Sequence, residues 1–165
     1  MIKKIIILIS LLFLPLKVLA LIEVDITRGN LNPLPLAVSP LSIDENSKKS
    51  FEKILSKENI GSEISTIVEN NLKTSGLFNP LSKDAFLQAP DIANLKPRFE
   101  DWALIKAQAL ITGKVSYINE KLRVEFRLWD VLAGKEMMAL AFTTVPNNWR
   151  RVGHIISDKI YERLT

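Results

Sequence analysis

Three apolar runs sit almost back to back in the second half of the chain: Leu110 to Ile118, Leu122 to Asp130 and Glu136 to Val145. Turn residues Asn119-Glu120-Lys121 and Ala133-Gly134-Lys135 lie between them, and connections that short force neighbouring strands to run antiparallel. The middle run places Leu122, Val124, Phe126 and Leu128 on one face and Arg123, Glu125 and Arg127 on the other, so the meander is packed on one side and largely wet on the other. The rest of the chain must then supply apolar cover for one face of a sheet.

Helices provide that cover. Ile60, Ile64, Ile67, Val68 and Leu72 fall at helical spacing, with Ser62 as a candidate N-terminal cap and Gly76 where a left-handed C-terminal cap belongs. Phe99, Trp102 and Ile105 predict a second helix with one buried stripe. Trp149, Val152, Ile156, Ile160 and Leu164 predict a final one, capped by Asn147 or Asn148 after Pro146. Leu36 to Ser39 and Leu77-Phe78 read as short strands. Between Leu41 and Asn59 the chain is polar and charged, and it is predicted to be a surface excursion with a short helix around Phe51, Ile54 and Leu55. The expected fold class is α/β, a mixed β-sheet with a C-terminal antiparallel meander packed against α-helices.

The N-terminus has a different character. Met1 to Ala20 combines Lys3 and Lys4, an apolar run from Ile5 to Leu14, Pro15, and then Val18 and Ala20 at the spacing of a cleavage site, which reads as a secretory signal peptide. The run falls well short of the roughly 20 residues a spanning helix needs. Removing Lys3, Lys4 and Lys17 from the 22 basic residues leaves 19 against 18 acidic ones. The pI near 9.3 thus belongs mostly to the leader, and nucleic-acid binding loses its electrostatic support. With no cysteine in the chain, the exported protein is held together by core burial alone.

Behind the leader, Ile22, Val24 and Ile26 alternate with Glu23 and Asp25 between Leu21 and Arg28, a strand pattern that ends at Gly29-Asn30. Asn32-Pro33-Leu34-Pro35 follows as a predicted hinge, since two prolines remove two ladder donors. The expected organisation is a signal peptide at 1–20, a flexible strand and hinge at 21–33, and an α/β domain at 34–165. The alternating segment either adds to the sheet edge of another protein or forms the first strand of this domain's own sheet, and the residues alone leave both open.

Catalytic chemistry finds little to work with. One histidine and no cysteine argue against a transition-metal site. There is no Gly-x-Ser-x-Gly elbow, and Ser157 and Asp158 lie too near His154 in sequence to form a pre-organised triad. Glycine-rich phosphate loops are missing as well. No catalytic residue, cofactor or metal is expected. Arg150-Arg151 reads as a solvated first helical turn, while Trp129, on the wet face of its strand, invites a contact role.

Several strings then point in one direction: Leu72-Lys73-Thr74-Ser75-Gly76-Leu77-Phe78, Asp101-Trp102, Ala109-Leu110-Ile111-Thr112-Gly113-Lys114-Val115, Phe126-Arg127-Leu128-Trp129-Asp130, and the final stretch from Arg151 to Thr165. In this order, behind a signal peptide, they resemble the N-terminal α/β domain of the TolB family of the Tol-Pal cell-envelope system. The excursion between Leu41 and Ile60 is longer than that family's. The resemblance implies a non-enzymatic periplasmic component acting in outer-membrane invagination during division and in envelope integrity. It implies that the N-terminal tail binds the C-terminal domain of the inner-membrane protein TolA, which maps onto Ile22, Glu23, Val24, Asp25 and Ile26. In the family a six-bladed β-propeller follows and binds the lipoprotein Pal; the chain resembles the N-terminal domain alone, so Pal is expected only where a propeller is present. His154 and Asp158, opposite the buried stripe of the final helix, are expected to face that second domain. A binding module of another envelope system, or a small periplasmic hydrolase, are the alternative readings.

Overall fold

The computed structural model describes residues 32–165. The predicted leader and the alternating segment Leu21 to Arg28 lie outside the described residues. Along the chain come β1 (Leu34–Val38), β2 (Ser42–Ile43), α1 (Glu45–Leu55), α2 (Ile60–Thr74), β3 (Phe78–Pro80), α3 (Pro90–Leu95), α4 (Phe99–Leu104), β4 (Ala109–Ile118), β5 (Lys121–Asp130), β6 (Lys135–Thr144) and α5 (Trp149–Leu164). Short 3₁₀ turns cover Lys83–Ala85 and Pro146–Asn148.

The six strands form one mixed sheet in the order β3-β1-β4-β5-β6, with β2 also on β4. β1 runs parallel to both β3 and β4, and the expected antiparallel meander closes the other side. Its first turn is a two-residue loop with Ile118 opposite Lys121. Asn119 and Glu120 both have positive φ, the backbone twist that matches paired strands. In the second turn the Asp130 carboxylate accepts from Ala133 N at 2.8 Å.

β1 and β2 are one strand broken at Pro40. Val38 pairs with Ile111 and Ser42 with Lys114, so this side takes four steps where β4 takes three. The extra residue is accommodated by Gly113, where a Cβ would lie 2.7 Å from Leu41 Cδ2 and well inside contact distance of the Glu125 carbonyl oxygen. From the facing helix α2, the Ser65 hydroxyl accepts from Leu41 N at 2.9 Å and fixes the corner.

The main core lies between one sheet face and α1, α2 and α5. Leu36, Val38, Ile111, Val115, Val124, Phe126 and Leu128 meet Phe51, Ile64, Val68, Leu72, Val152, Ile156 and Ile160. A smaller core on the other face gathers Ala37, Trp102, Ala107, Leu110 and Val131, with Phe86 edge-on to Trp102 at 5.0 Å. Burying apolar area on both faces at about 25 cal/mol per Å² holds the domain together without disulfides.

Four expectations need correction. The Leu41 to Asn59 stretch is more than a surface excursion: α1 has 11 residues, Asp44 caps it, and Phe51 is fully buried edge-on to Tyr117. Its inward face was hidden by Ser47, a buried polar residue whose hydroxyl accepts from Tyr117 N at 2.8 Å. The proline hinge ends at Pro33, because Leu34 and Pro35 already belong to β1. Helix α2 starts one residue after Asn59, so Ser62 lies inside it, whereas Gly76 does adopt the left-handed φ of 74° at its end. Asn148 precedes α5 without capping it, and its side chain donates to Thr144 Oγ1 instead.

Candidate interaction surfaces

Among the described residues no cluster of three or more His, Asp or Glu is placed to hold a metal ion. The titratable groups that move from their ordinary values do so through contacts that fasten helices. Asp44 is lowered chiefly by the backbone N–H of Ser47 at the start of α1. Asp101 is lowered by hydrogen bonds first from Arg98 and then from Gln88, which tie the start of α4 to the preceding loop. Lys159 is raised and Glu162 lowered by their mutual contact on the surface of α5.

Residues Ile22, Glu23, Val24, Asp25 and Ile26 lie outside the described residues, but the place where their segment joins the domain is defined. Leu34 N donates to Leu77 O at 2.8 Å, and Pro35 O accepts from Gln108 N at 2.9 Å. Pro35 is tolerated here because the bonds its neighbours make hold the strand between β3 and β4. The end of α5 reaches the same end of the sheet: Tyr161 stands edge-on to Phe78 at 6.1 Å, and Arg163 lies beside Met137 O.

Helices α2 and α5 run side by side in the same direction, with Ile67 against Gly153 and Asn71 against His154 and Ser157. His154 and Asp158 share the exposed side of α5, away from the buried stripe. They do not pair with each other. Asn71 Nδ2 lies 2.8 Å from His154 Nδ1 and donates to Ser157 Oγ at 3.0 Å. The two residues thus sit beside a polar seam between helices, with α5 ending at Leu164.

Sequence reasoning missed the surface at β6. This ten-residue strand ends the sheet, so one side of its backbone has no strand partner among the described residues. Beyond Lys135 and Glu136 it carries no charge, no proline and no glycine, so beyond that end only a bulge blunts the edge. A register shift at Leu128 and Trp129 is the only irregularity in its pairing to β5. Met138, Leu140 and Phe142 point to the helix side, opposite Leu128, Phe126 and Val124. Ala139, Ala141 and Thr143 point to the open side, opposite Arg127, Glu125 and Arg123. Leu140 is 37% exposed. On the open side a shallow hollow of about 250 Å³ is floored by Ala139 and Ala141 and walled by Arg123, Glu125 and Arg127. Trp129 is not a free contact residue: its indole N–H donates to Thr112 Oγ1 at 2.9 Å, and its ring stands edge-on to Phe99.

The profile of the TolB amino-terminal domain matches residues 22–137, taking in both the alternating segment and the sheet as far as β6. The chain belongs to the TolB amino-terminal domain family. It is 79% identical over 154 residues to the Tol-Pal system protein TolB of Pelagibacter ubique strain HTCC1062, a match covering 93% of this chain and 34% of that protein. The chain thus spans about a third of the length of that curated relative. The crystal structure of TolB from Acinetobacter baumannii superposes with a TM-score of 0.63 at 22% identity, over 87% of this chain and 31% of that one, and speaks for the fold alone. No helix among the described residues of this TolB-family domain is long and apolar enough to cross a membrane.

Proposed function

We propose that this domain is a non-enzymatic periplasmic component of the Tol-Pal system, exported by residues 1–20, in which Ile22 to Ile26 bind the C-terminal domain of TolA by strand addition. The observation that carries the reading is the 79% identity to a Tol-Pal TolB, together with a family match that begins at Ile22. Strand addition follows from the alternation: period two puts Ile22, Val24 and Ile26 on the face that enters the partner and Glu23 and Asp25 on the face left in water. Coupling the inner membrane to outer-membrane invagination during division, and maintaining envelope integrity, are the roles such a link would serve. Pal binding is assigned to a propeller and not to residues 34–165. His154 and Asp158, exposed beside the α2/α5 seam, are assigned to contact with a following domain. The deciding experiment removes residues 21–28 and measures both melting temperature and binding to the TolA C-terminal domain. Loss of binding with an unchanged melting temperature supports the reading. An unfolded domain would make the segment an integral strand and refute it.

A further inference from the structure

In the middle of β6 three consecutive uncharged residues, Ala139, Leu140 and Ala141, are exposed. The two alanines are short, so the charge of the open side beside the edge is set by the row behind them on β5, which alternates in sign: Arg123, Glu125, Arg127. Arg127 leans over β6 to Glu136 at 3.2 Å, which brings its guanidinium close to the edge. A row that alternates in sign is complementary to its own copy turned end for end, whereas a partner of uniform charge would meet at least one like charge. On the helix side, Leu140 stands between Met138 and Phe142. Beside Phe142 lies a second hollow, of about 210 Å³, lined by Thr144, Arg151, Val152 and Ile155.

We propose that the β6 edge pairs antiparallel with β6 of a second copy of this chain, about a two-fold axis through Leu140. Such a contact is closed and uses the same patch on both molecules. Leu140 then meets its own copy and is covered, and Met138 stands opposite Phe142 of the second copy, where its flexible side chain enters the hollow. On the open side Ala139 meets Ala141 of the second copy. Behind them Arg127 faces Glu125 of the second copy, and the symmetry repeats the attraction. Moving the axis to Ala141 would set Glu125 against its own copy and Arg127 against Arg123. Moving it to Ala139 would set Arg127 against its own copy. Charge therefore selects the register centred on Leu140, and a slip of one residue would turn apolar side chains onto the charged side. The register shift between Leu128 and Trp129 leaves Met137 as an extra residue, which confines regular pairing to Met138–Phe142. An interface of five residues a side makes a weak, reversible dimer.

The chain has no cysteine, so single thiols can report the register in the full chain. L140C, A139C, A141C and an equimolar mixture of A139C with A141C are oxidised with glutathione disulfide. In the proposed register position 140 meets itself, while 139 meets only 141. Covalent dimer should therefore form about ten times faster or more in L140C and in the mixture than in A139C or A141C alone. Equal rates in all four samples, or a faster A139C or A141C alone, overturn the proposal. A second arm reads charge by sedimentation equilibrium. R127E places only glutamates, and E125R only arginines, at the facing positions 125 and 127, so each variant alone should dimerise about ten-fold more weakly than the parent. Mixed, they face each other as opposite charges and should associate at least as well as the parent does. A chain that stays monomeric, or a mixture that associates no better than its components, overturns the proposal and leaves the edge to an occupant other than a second copy. Neither arm uses TolA, so the failure of this inference and the failure of the proposed function are separable.

Discussion

Replacing Gly113 with Ala tests the feature on which the whole sheet register depends. Gly113 sits on central strand β4 opposite Phe126, at the point where the β1–β2 side carries its extra residue. A methyl group there is forced against the Glu125 carbonyl oxygen, 3.1 Å from Phe126 Cα and 2.7 Å from Leu41 Cδ2. Two of those three contacts are backbone of β5, which cannot rotate away. Overpacking of this kind costs about 1 to 3 kcal/mol, and the entropy gained on replacing glycine returns about 0.5 to 1. The net loss is about 1 kcal/mol, or about 4 °C in a domain of this size. Urea unfolding and thermal melts of the parent, G113A, L41A and the double variant separate the causes. L41A alone removes a buried leucine and costs about 2 to 5 kcal/mol. If the backbone of β5 is the obstacle, the two losses add to within about 0.5 kcal/mol. A G113A protein as stable as the parent would show that β4 and β5 are not paired in this register. Full rescue of G113A by L41A would place the strain on Leu41 and refute the argument from β5.

Three further outcomes follow from individual contacts. Q88A should lose about 2 kcal/mol in urea, because Gln88 is buried and its amide bridges Arg98 O, Arg98 N and the Asp101 carboxylate. Titration by NMR should also show the Asp101 carboxyl moving up toward its ordinary value while Arg98 still holds it below. D44A should lose about 1 kcal/mol at neutral pH through the cap of α1. Because the folded-state value of Asp44 lies below the unfolded one, that stability is present above the ordinary carboxylate range and disappears as pH falls through the lowered value. The gap between D44A and the parent should therefore close in acid. H154A should cost about 0.5 kcal/mol or less, since Asn71 keeps its bond to Ser157 and alanine is the better helix former. A loss of several kcal/mol would make His154 a packing residue and end its assignment to a following domain.

The parts of the fold that sequence patterns disclose are those where one periodicity holds over many residues. The five apolar positions of α5 are all buried as spaced, and the alternation from Leu122 to Leu128 gives the packed and half-buried faces of β5 without exception. α1 fails for a physical reason. Two of its inward positions are Ser47 and Phe51, and a serine that serves as acceptor for Tyr117 N reads in sequence as a solvent residue. Pro35 misleads in the opposite sense: it lies within β1, and its carbonyl still accepts from Gln108 N. Trp129 lies on the face opposite the main core, yet α4 brings Phe99 against it, a tertiary contact that the strand's own alternation does not contain.

The β6 edge shows the deepest limit of that reading. Met137 to Phe142 is apolar or small at every position, which is the pattern of a strand buried on both faces. Pattern alone cannot say that a strand has only one neighbour, since edge position is a property of the sheet order. In this sheet the order follows from the short turn after β5, which places β6 outside it, while the chain then leaves for α5. An edge strand that keeps the composition of an interior one is under pressure to acquire a second neighbour.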